Sequence, residues 1–447
     1  MSTLLSRCTL LLAVLVPMSI GCALSAGQET PAGSTMGTGS IQADKTVLPA
    51  PRAQLGNLEA TLQLSEARAE IPGEDLSCVP TTTAMARESG WRDMDFTGQE
   101  WAFGARYQHT AIWDGREMIV FGGAVGDAPE AAAFEPNSGA WSRVPASGLA
   151  QRVRHHAAWT GHSMIVWGGA INSLDGESTT YYADGAMYDP CAKTWRMITK
   201  APEAFREGST SVWATTTREL VVFGGEGASS SGLAYNPATD SWRRIATSPL
   251  TGSTHTVWTG RAMIAYEGTT HASASYDPTN DSWTTLPSAP AAAPTGELGL
   301  PSGSSLASAT FMFGATGKTD DGSTTGFFDM RGVTWDTQSS AWTAIPAAPS
   351  DVLAERTRAM TWWGDGKLYV WGGHVLKDAD PYVHTAQDGA VFDPATGAWT
   401  HLPRAAVYAM REGATVVWTG SEAIFTGGAA SCTMCNPMPT GGEIFHP

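Results

Sequence analysis

Charge is scarce in this chain: only 16% of its 447 residues are Asp, Glu, Lys or Arg, and 27 basic residues stand against 43 acidic ones. The net charge of −16 argues against non-specific nucleic-acid binding and against adhesion to anionic lipid, which both require a basic surface. No segment beyond residue 22 is apolar for long enough to be a transmembrane helix. No nucleophile–base motif is present, and no twelve-residue calcium loop, so the acids at Asp320, Asp321, Asp378, Asp380 and Asp388 read as solvated loop residues. Cysteine is sparse too, at six residues. Glycine is plentiful: 49 residues point to many turns rather than long helices. Apolar residues, at 42%, are ample for a core.

The first 22 residues read as a targeting segment. Arg7 carries one positive charge and 8–16 is an apolar stretch too short to span a bilayer. Ser19-Ile20-Gly21-Cys22 resembles the lipobox of bacterial lipoproteins, with Ser19 where Leu is usual. Two outcomes stay open. Lipid on Cys22 would anchor the protein to the cell envelope, at the outer membrane or cell surface, and that lipid would be its only membrane contact. Cleavage after Ser25 or Ala26 would release a soluble periplasmic or secreted protein. Residues 23–75, rich in Gly, Ser, Thr, Ala and Pro, are expected to be a flexible tether, because such a composition buries too little surface to offset its ordering entropy.

From residue 76 onward a unit recurs. Tryptophans fall at Trp91, Trp141, Trp195, Trp242, Trp283, Trp342 and Trp399, at gaps of 50, 54, 47, 41, 59 and 57 residues. A period near 50 is the mark of an array of supersecondary units. In the clearest copy, a short strand ends at Trp113 and Asp114-Gly115 forms a hairpin turn. The continuous apolar run Met118-Ile-Val-Phe121 then needs cover on both faces. Gly122-Gly123 closes it where another backbone approaches or the chain bends. After a variable loop comes a third strand, then Glu135-Pro136-Asn137, whose cognates include Tyr188-Asp-Pro, Tyr235-Asn-Pro, Tyr276-Asp-Pro and Phe392-Asp-Pro. Asp or Asn followed by Pro opens a type I turn. The fourth strand carries the periodic Trp, expected to wedge between neighbouring units. Of Trp362 and Trp363, one extra ring is free to face a sugar.

The pairs Gly122-Gly123, Gly168-Gly169, Gly224-Gly225, Gly372-Gly373 and Gly427-Gly428, each with its later Asp-Pro-like turn, make the chain resemble the kelch-repeat family. The resemblance implies an all-β fold: a seven-bladed β-propeller over 76–447 with four antiparallel strands per blade. The fourth and fifth units are degenerate, with Tyr266-Glu267-Gly268 and Phe313-Gly314 in place of the glycine pair. The last unit stops at Phe445-His446-Pro447 without its fourth strand, and the strand around Trp91 has no unit before it. Joining the two closes the ring and removes a free edge.

Arg106, Arg152, Arg206, Arg356 and Arg411 each lie seven residues before a first-strand Trp, on the face that also carries the long loops between second and third strands. His109 and His155 follow their Arg by three residues; His255 is one position out of register. The arginines are either blade-to-blade fasteners, with Glu207, Glu355 and Glu412 beside them, or an anion-binding mouth, since guanidinium pairs with carboxylate or sulfate. An exported chain favours disulfides. Cys78 bridged to Cys432 or Cys435 would lock the last blade, Cys432 bonded to Cys435 is the alternative, and Cys191 is hard to place.

Kelch relatives include copper oxidases and sialic acid epimerases. The oxidase's Tyr–Cys cross-link has no matching context at Cys191, Cys432 or Cys435, and the epimerase's proton-transfer pair has no identifiable counterpart. The expectation is therefore a monomeric, non-catalytic binding propeller without metal or cofactor. It would take a glycan or an acidic protein or peptide on its Arg-rich face; the alternative is a carbohydrate-active enzyme such as a sugar epimerase.

Overall fold

The apolar runs before the glycine pairs are second strands of four-stranded antiparallel sheets in the computed structural model. Met118–Phe121, Met164–Trp167 and Glu219–Gly224 are buried at every position, as a strand covered on both faces must be. The structure describes residues 89–447 apart from 97–105, 124–129, 173–177, 291–297, 300–308, 318–327, 406–411, 430–441 and a few single positions. The described residues belong to one unit, Gly56–Pro447. The targeting segment, the tether, Cys22, Cys78, Arg411, Cys432 and Cys435 lie outside the described residues.

The chain forms a β-propeller whose blades are sheets of this kind. Blade 1 is Thr110–Trp113, Met118–Phe121, Ala131–Glu135 and Ala140–Arg143. Blade 2 is His156–Trp159, Met164–Trp167, Gly185–Asp189 and Thr194–Met197, with an added hairpin of Ala170–Asn172 and Thr179–Tyr181 between its second and third strands. Blade 3 is Ser209–Ala214, Glu219–Gly224, Gly232–Asn236 and Ser241–Arg244. Further four-stranded sheets span 254–286, 298–345 and 360–402, here blades 4, 5 and 6. The last blade, here blade 7, takes Glu412–Trp418, Ala423–Ala429 and Gly442–His446 from the C-terminus and Gly90–Asp93 from the other end. Trp91 stands opposite Phe445 in that closing pair, as the sequence anticipates. Among the described residues no helix is long and apolar enough to cross a membrane.

The first strands of blades 6, 7, 1, 2, 3 and 4 pack in turn, each on the next. The core is divided into slabs between blades rather than gathered in one centre. Phe121 and Val144 of blade 1 meet Met164, Val166 and Tyr188 of blade 2. Trp167 and Ile198 of blade 2 meet Leu220 and Tyr235 of blade 3.

The periodic tryptophans are the wedges expected. Each packs tilted or edge-on against the aromatic residue of its blade's third strand, as Tyr235 and Trp242 do at 5.0 Å. The indole N–H then donates to a carbonyl of the preceding blade: Trp195 to Pro145 at 2.8 Å, Trp242 to Thr199 at 2.7 Å, Trp399 to Pro346 at 2.8 Å and Trp91 to Pro403 at 2.6 Å. Trp362 and Trp363 are both buried, because each faces an apolar slab; neither ring is presented to a sugar.

Candidate functional site

Strand direction sorts the loops onto two faces. The loops before first strands and those between second and third strands share one face, here the upper; the turns within the other two hairpins share the lower. Of the arginines singled out from sequence, three turn inward from the upper side. Arg106, Arg152 and Arg356 are 1%, 0% and 0% exposed. Each donates to the carbonyl of the first glycine of its own blade's pair: Arg106 to Gly122 at 2.9 Å, Arg152 to Gly168 at 2.9 Å, Arg356 to Gly372 at 3.1 Å. Arg152 and Arg356 also pair with the carboxylates of Asp184 at 3.0 Å and Asp388 at 2.9 Å. Arg152 further lies 4.5 Å over the Tyr182 ring. Burial pulls the Arg106 guanidinium down to about 10 and lowers that of Arg356 against the opposing pull of Asp388.

Their backbones bind the neighbouring blade as well. The Arg152 carbonyl accepts from Gly123 N–H at 2.9 Å, and the Arg106 carbonyl from Gly428 N–H at 2.8 Å. Three of the five arginines are thus blade fasteners, which corrects the open cationic mouth: a guanidinium held by main-chain carbonyls and shut from water is not presented to a ligand in solution. Arg206 is different. It is half-buried, donates to Gly224 at 3.3 Å and pairs with Glu203 rather than with the adjacent Glu207.

The histidines join the same frame. His109 shares a 2.8 Å hydrogen bond with Thr415 of blade 7, and His155 a 2.7 Å bond with Thr110 of blade 1. His156 is bonded to Ser209 of blade 3 at 2.9 Å, and Thr256 of blade 4 donates to Thr210 at 2.9 Å. These bonds form a belt that stitches one first strand to the next. Burial, reinforced by Arg152, drives His155 down to about 3; burial drives His156 and His255 to about 4. Neutral rings suit such a belt, because each then offers one donor and one acceptor.

The surface that remains available was missed by sequence reasoning. Two residues after the fastening Arg, the backbone is left-handed: Gly208 has φ 72° in blade 3, while Gln108 and Arg154 hold φ 56° in blades 1 and 2. A non-glycine residue there stores about 1–3 kcal/mol of strain and is worth scrutiny as a functional position. Arg154 forms an ion pair with Glu207 of blade 3, both part-exposed. The Tyr181 hydroxyl donates to the other Glu207 oxygen at 3.4 Å, and its ring is 40% exposed. Phe205 supports Tyr181 at 6.3 Å and His156 at 5.5 Å. The available signal was the non-glycine residue where a left-handed turn is required.

Residues 74–263 match the model of the KLHDC2/KLHL20/DRC7 Kelch-repeats domain. The repeats in that stretch are kelch repeats. Two solved kelch-type propellers resemble the fold. A fungal alcohol oxidase of the AA5 family, solved with copper, is 15% identical with a TM-score of 0.53, over 77% of this chain and 73% of that one. YjhT is 17% identical with a TM-score of 0.48, over 67% of this chain and 98% of its own. At these identities the likeness concerns fold alone. No curated protein matches the sequence.

A copper centre like that of the oxidase does not fit the described residues. His109, His155 and His156 are each taken by an inter-blade hydrogen bond. Among the described residues, His162, Asp189 and Cys191 form the one metal-type cluster, with ligand atoms within 4.8 Å of one another. Cys191, however, is disulfide-bonded and offers no thiolate. That bond also corrects the sequence reading in which Cys191 had no evident partner.

Proposed function

We propose that the protein is a seven-bladed, non-catalytic binding propeller, exported and held at a cell envelope through lipid on Cys22, that engages a glycan or acidic peptide on its upper face. The blade count is supported by seven apolar slabs, one for each junction from blades 1 and 2 round to blades 7 and 1.

The observation that carries the binding reading is the strained Arg154 beside the exposed Tyr181. A carboxylate-bearing ligand exchanges with Glu207 for the planar guanidinium, while Tyr181 supplies a flat apolar platform for a sugar ring or side chain. Arg206, half-buried one blade on, adds positive potential. The enzymatic alternative loses support because the histidines a proton-transfer pair would use are neutral and engaged in the belt.

The test is a screen of the mature chain against arrays of uronate- and sialate-bearing glycans and acidic peptides, each hit also incubated and checked for chemical change. Binding that weakens with salt and disappears in Arg154→Ala, at unchanged melting temperature, is expected. Conversion of a hit into product, or hits indifferent to Arg154→Ala and Tyr181→Ala, defeats the reading.

A further inference from the structure

Resting on the upper-face binding just proposed, we infer that the ligand is an extended acidic peptide, which adds a strand to the open edge of the blade 2 hairpin and sets a carboxylate on Arg154. The hairpin stands apart from its blade's four-stranded sheet. Ala170–Asn172 and Thr179–Tyr181 pair with each other, and the inner strand is joined to the rest only by a bridge from Ala170 to Val153. All three residues of the outer strand are exposed. Edge strands are ordinarily guarded by charge, proline or a covering segment. Thr-Thr-Tyr carries neither charge nor proline, and its residues favour extended backbone.

The register shows which main-chain groups face outward. Ala170 exchanges both of its bonds with Val153, its N–H donating at 3.0 Å and its carbonyl accepting at 2.9 Å. Its partner across the hairpin, Tyr181, is therefore in a non-hydrogen-bonded pair, with N–H and C=O directed away from the hairpin. The Tyr182 N–H donates to the Gly169 carbonyl at 2.9 Å, which turns the Tyr181 carbonyl of the same trans peptide group the other way. Thr179, two residues earlier, repeats the arrangement. Among the described residues, no loop or side-chain bond reaches the N–H or C=O of Thr179 or Tyr181. Alternating donors and acceptors at strand spacing are matched by another extended main chain, whereas a sugar ring has no such row.

The side chains select the acidic residue. Residues opposite one another across a ladder share a face, so the guest residue facing Tyr181 projects beside the Tyr181 ring. There the Tyr181 hydroxyl donates to Glu207, which is the ion-pair partner of Arg154. Glu203 answers both Arg206 and Arg244, so in these pairs three guanidiniums are held by two carboxylates. An Asp or Glu on the guest strand supplies the further carboxylate. Thr180 points to the opposite face, and the guest residue next to it is left unselected.

Fluorescence anisotropy with a labelled, end-blocked heptapeptide, Glu at its centre among Thr and Val, tests this on the full mature chain. Thr179→Pro removes one outward N–H and leaves the ladder within the hairpin, Arg154 and Tyr181 in place. It should weaken binding by roughly tenfold or more, while Thr179→Ala stays within about twofold of the parent. N-methylation of the peptide's Glu, or of the residue two positions on, should act like Thr179→Pro, and N-methylation of the residue between them should not. Unchanged binding by Thr179→Pro, or N-methyl losses without that alternation, overturns strand addition. Glycan binding that depends on Arg154, with no binding of the heptapeptide, overturns it while upper-face binding stands; binding of neither defeats both. A concentration-dependent dimer that Thr179→Pro disperses would mean that the edge pairs with a second copy of the chain, which also overturns it. If Thr179→Pro fails to fold, the N-methyl series on the parent chain decides.

Discussion

Trp91 and Phe445, at opposite ends of the chain, stand with ring centroids 4.9 Å apart and planes at 41°. Phe134 and Trp141, within a single hairpin, do the same at 5.1 Å and 43°, and Tyr276 and Trp283 at 5.1 Å and 41°. The contact that a local turn imposes in other blades is thus rebuilt in the last blade from two remote segments. Trp91 also lies 4.2 Å from Trp371 of blade 6, so one ring serves the closing hairpin and the blade interface together.

Trp91→Ala should therefore act on ring closure rather than on one blade. A half-buried Trp with an indole hydrogen bond is lost, and the partnering strand is loosened, at a cost of roughly 3 kcal/mol in urea unfolding. Deleting 86–96 should cost more, since it exposes the edge of Gly442–His446. A deletion variant that unfolds at the same urea concentration as the parent would rule this out.

The fold was legible because its determinants repeat. The Trp, the glycine pair and the Asx-Pro turn each act locally, and several approximate copies average out the degenerate ones. Even the closing strand could be inferred, since the last unit lacks a partner and the strand around Trp91 has one to give. The site was less legible. Arg106 and Arg152 read equally as fasteners or as ligand contacts, because sequence places them on a face but says nothing of whether a side chain turns inward. Their carbonyl partners, Gly122 and Gly168, are set by the bend of the glycine pair, which a period cannot reveal. Cys191 could not be paired for a related reason: its turn adjoins another only in three dimensions.

A glycine of a pair and a glycine of a turn supply a contrast within one residue type. Gly169 has φ 86°, and a Cβ there would stand 2.7 Å from the Val153 carbonyl and 2.8 Å from His155 Cβ. Gly139 has φ 71° but open space around the added carbon. Gly139→Ala should cost about 1 kcal/mol, the backbone preference alone. Gly169→Ala should cost several times that, because rigid backbone must move as well. Equal losses in chemical denaturation would mean that the pair is needed for its dihedrals only, and that the close approach is unimportant.

The arginines should separate in the same way. Arg152→Ala leaves the buried Gly168 carbonyl without its donor and empties a sealed space, while the part-exposed Asp184 carboxylate is rescued by water, which should cost roughly 2–3 kcal/mol. Arg206→Ala, part-exposed and bonded mainly to Glu203, should cost under about 1 kcal/mol. Thermal unfolding monitored by tryptophan fluorescence can rank them. Should Arg152→Ala prove as mild as Arg206→Ala, the fastening role assigned to the buried arginines fails.

The histidine belt makes acid stability a readout of the same frame. His155 falls from 6.5 in the unfolded chain to about 3 in the fold, chiefly through burial and then through Arg152, His156 and His109. Between those values the unfolded chain binds a proton that the fold refuses, so stability falls as pH falls, by at most about 1.4 kcal/mol per pH unit for this one residue. Above 6.5 the histidine contributes no pH dependence. His155→Gln keeps a polar group within reach of Thr110 but cannot titrate. Its deficit against the parent should be largest near about pH 7.5 and should shrink toward about pH 5, as the parent loses stability and the variant does not. Urea unfolding at the two pH values measures the difference. A deficit that stays constant, or grows on acidification, would mean that His155 is protonated within the fold, and that the bond to Thr110 does not rest on a neutral ring.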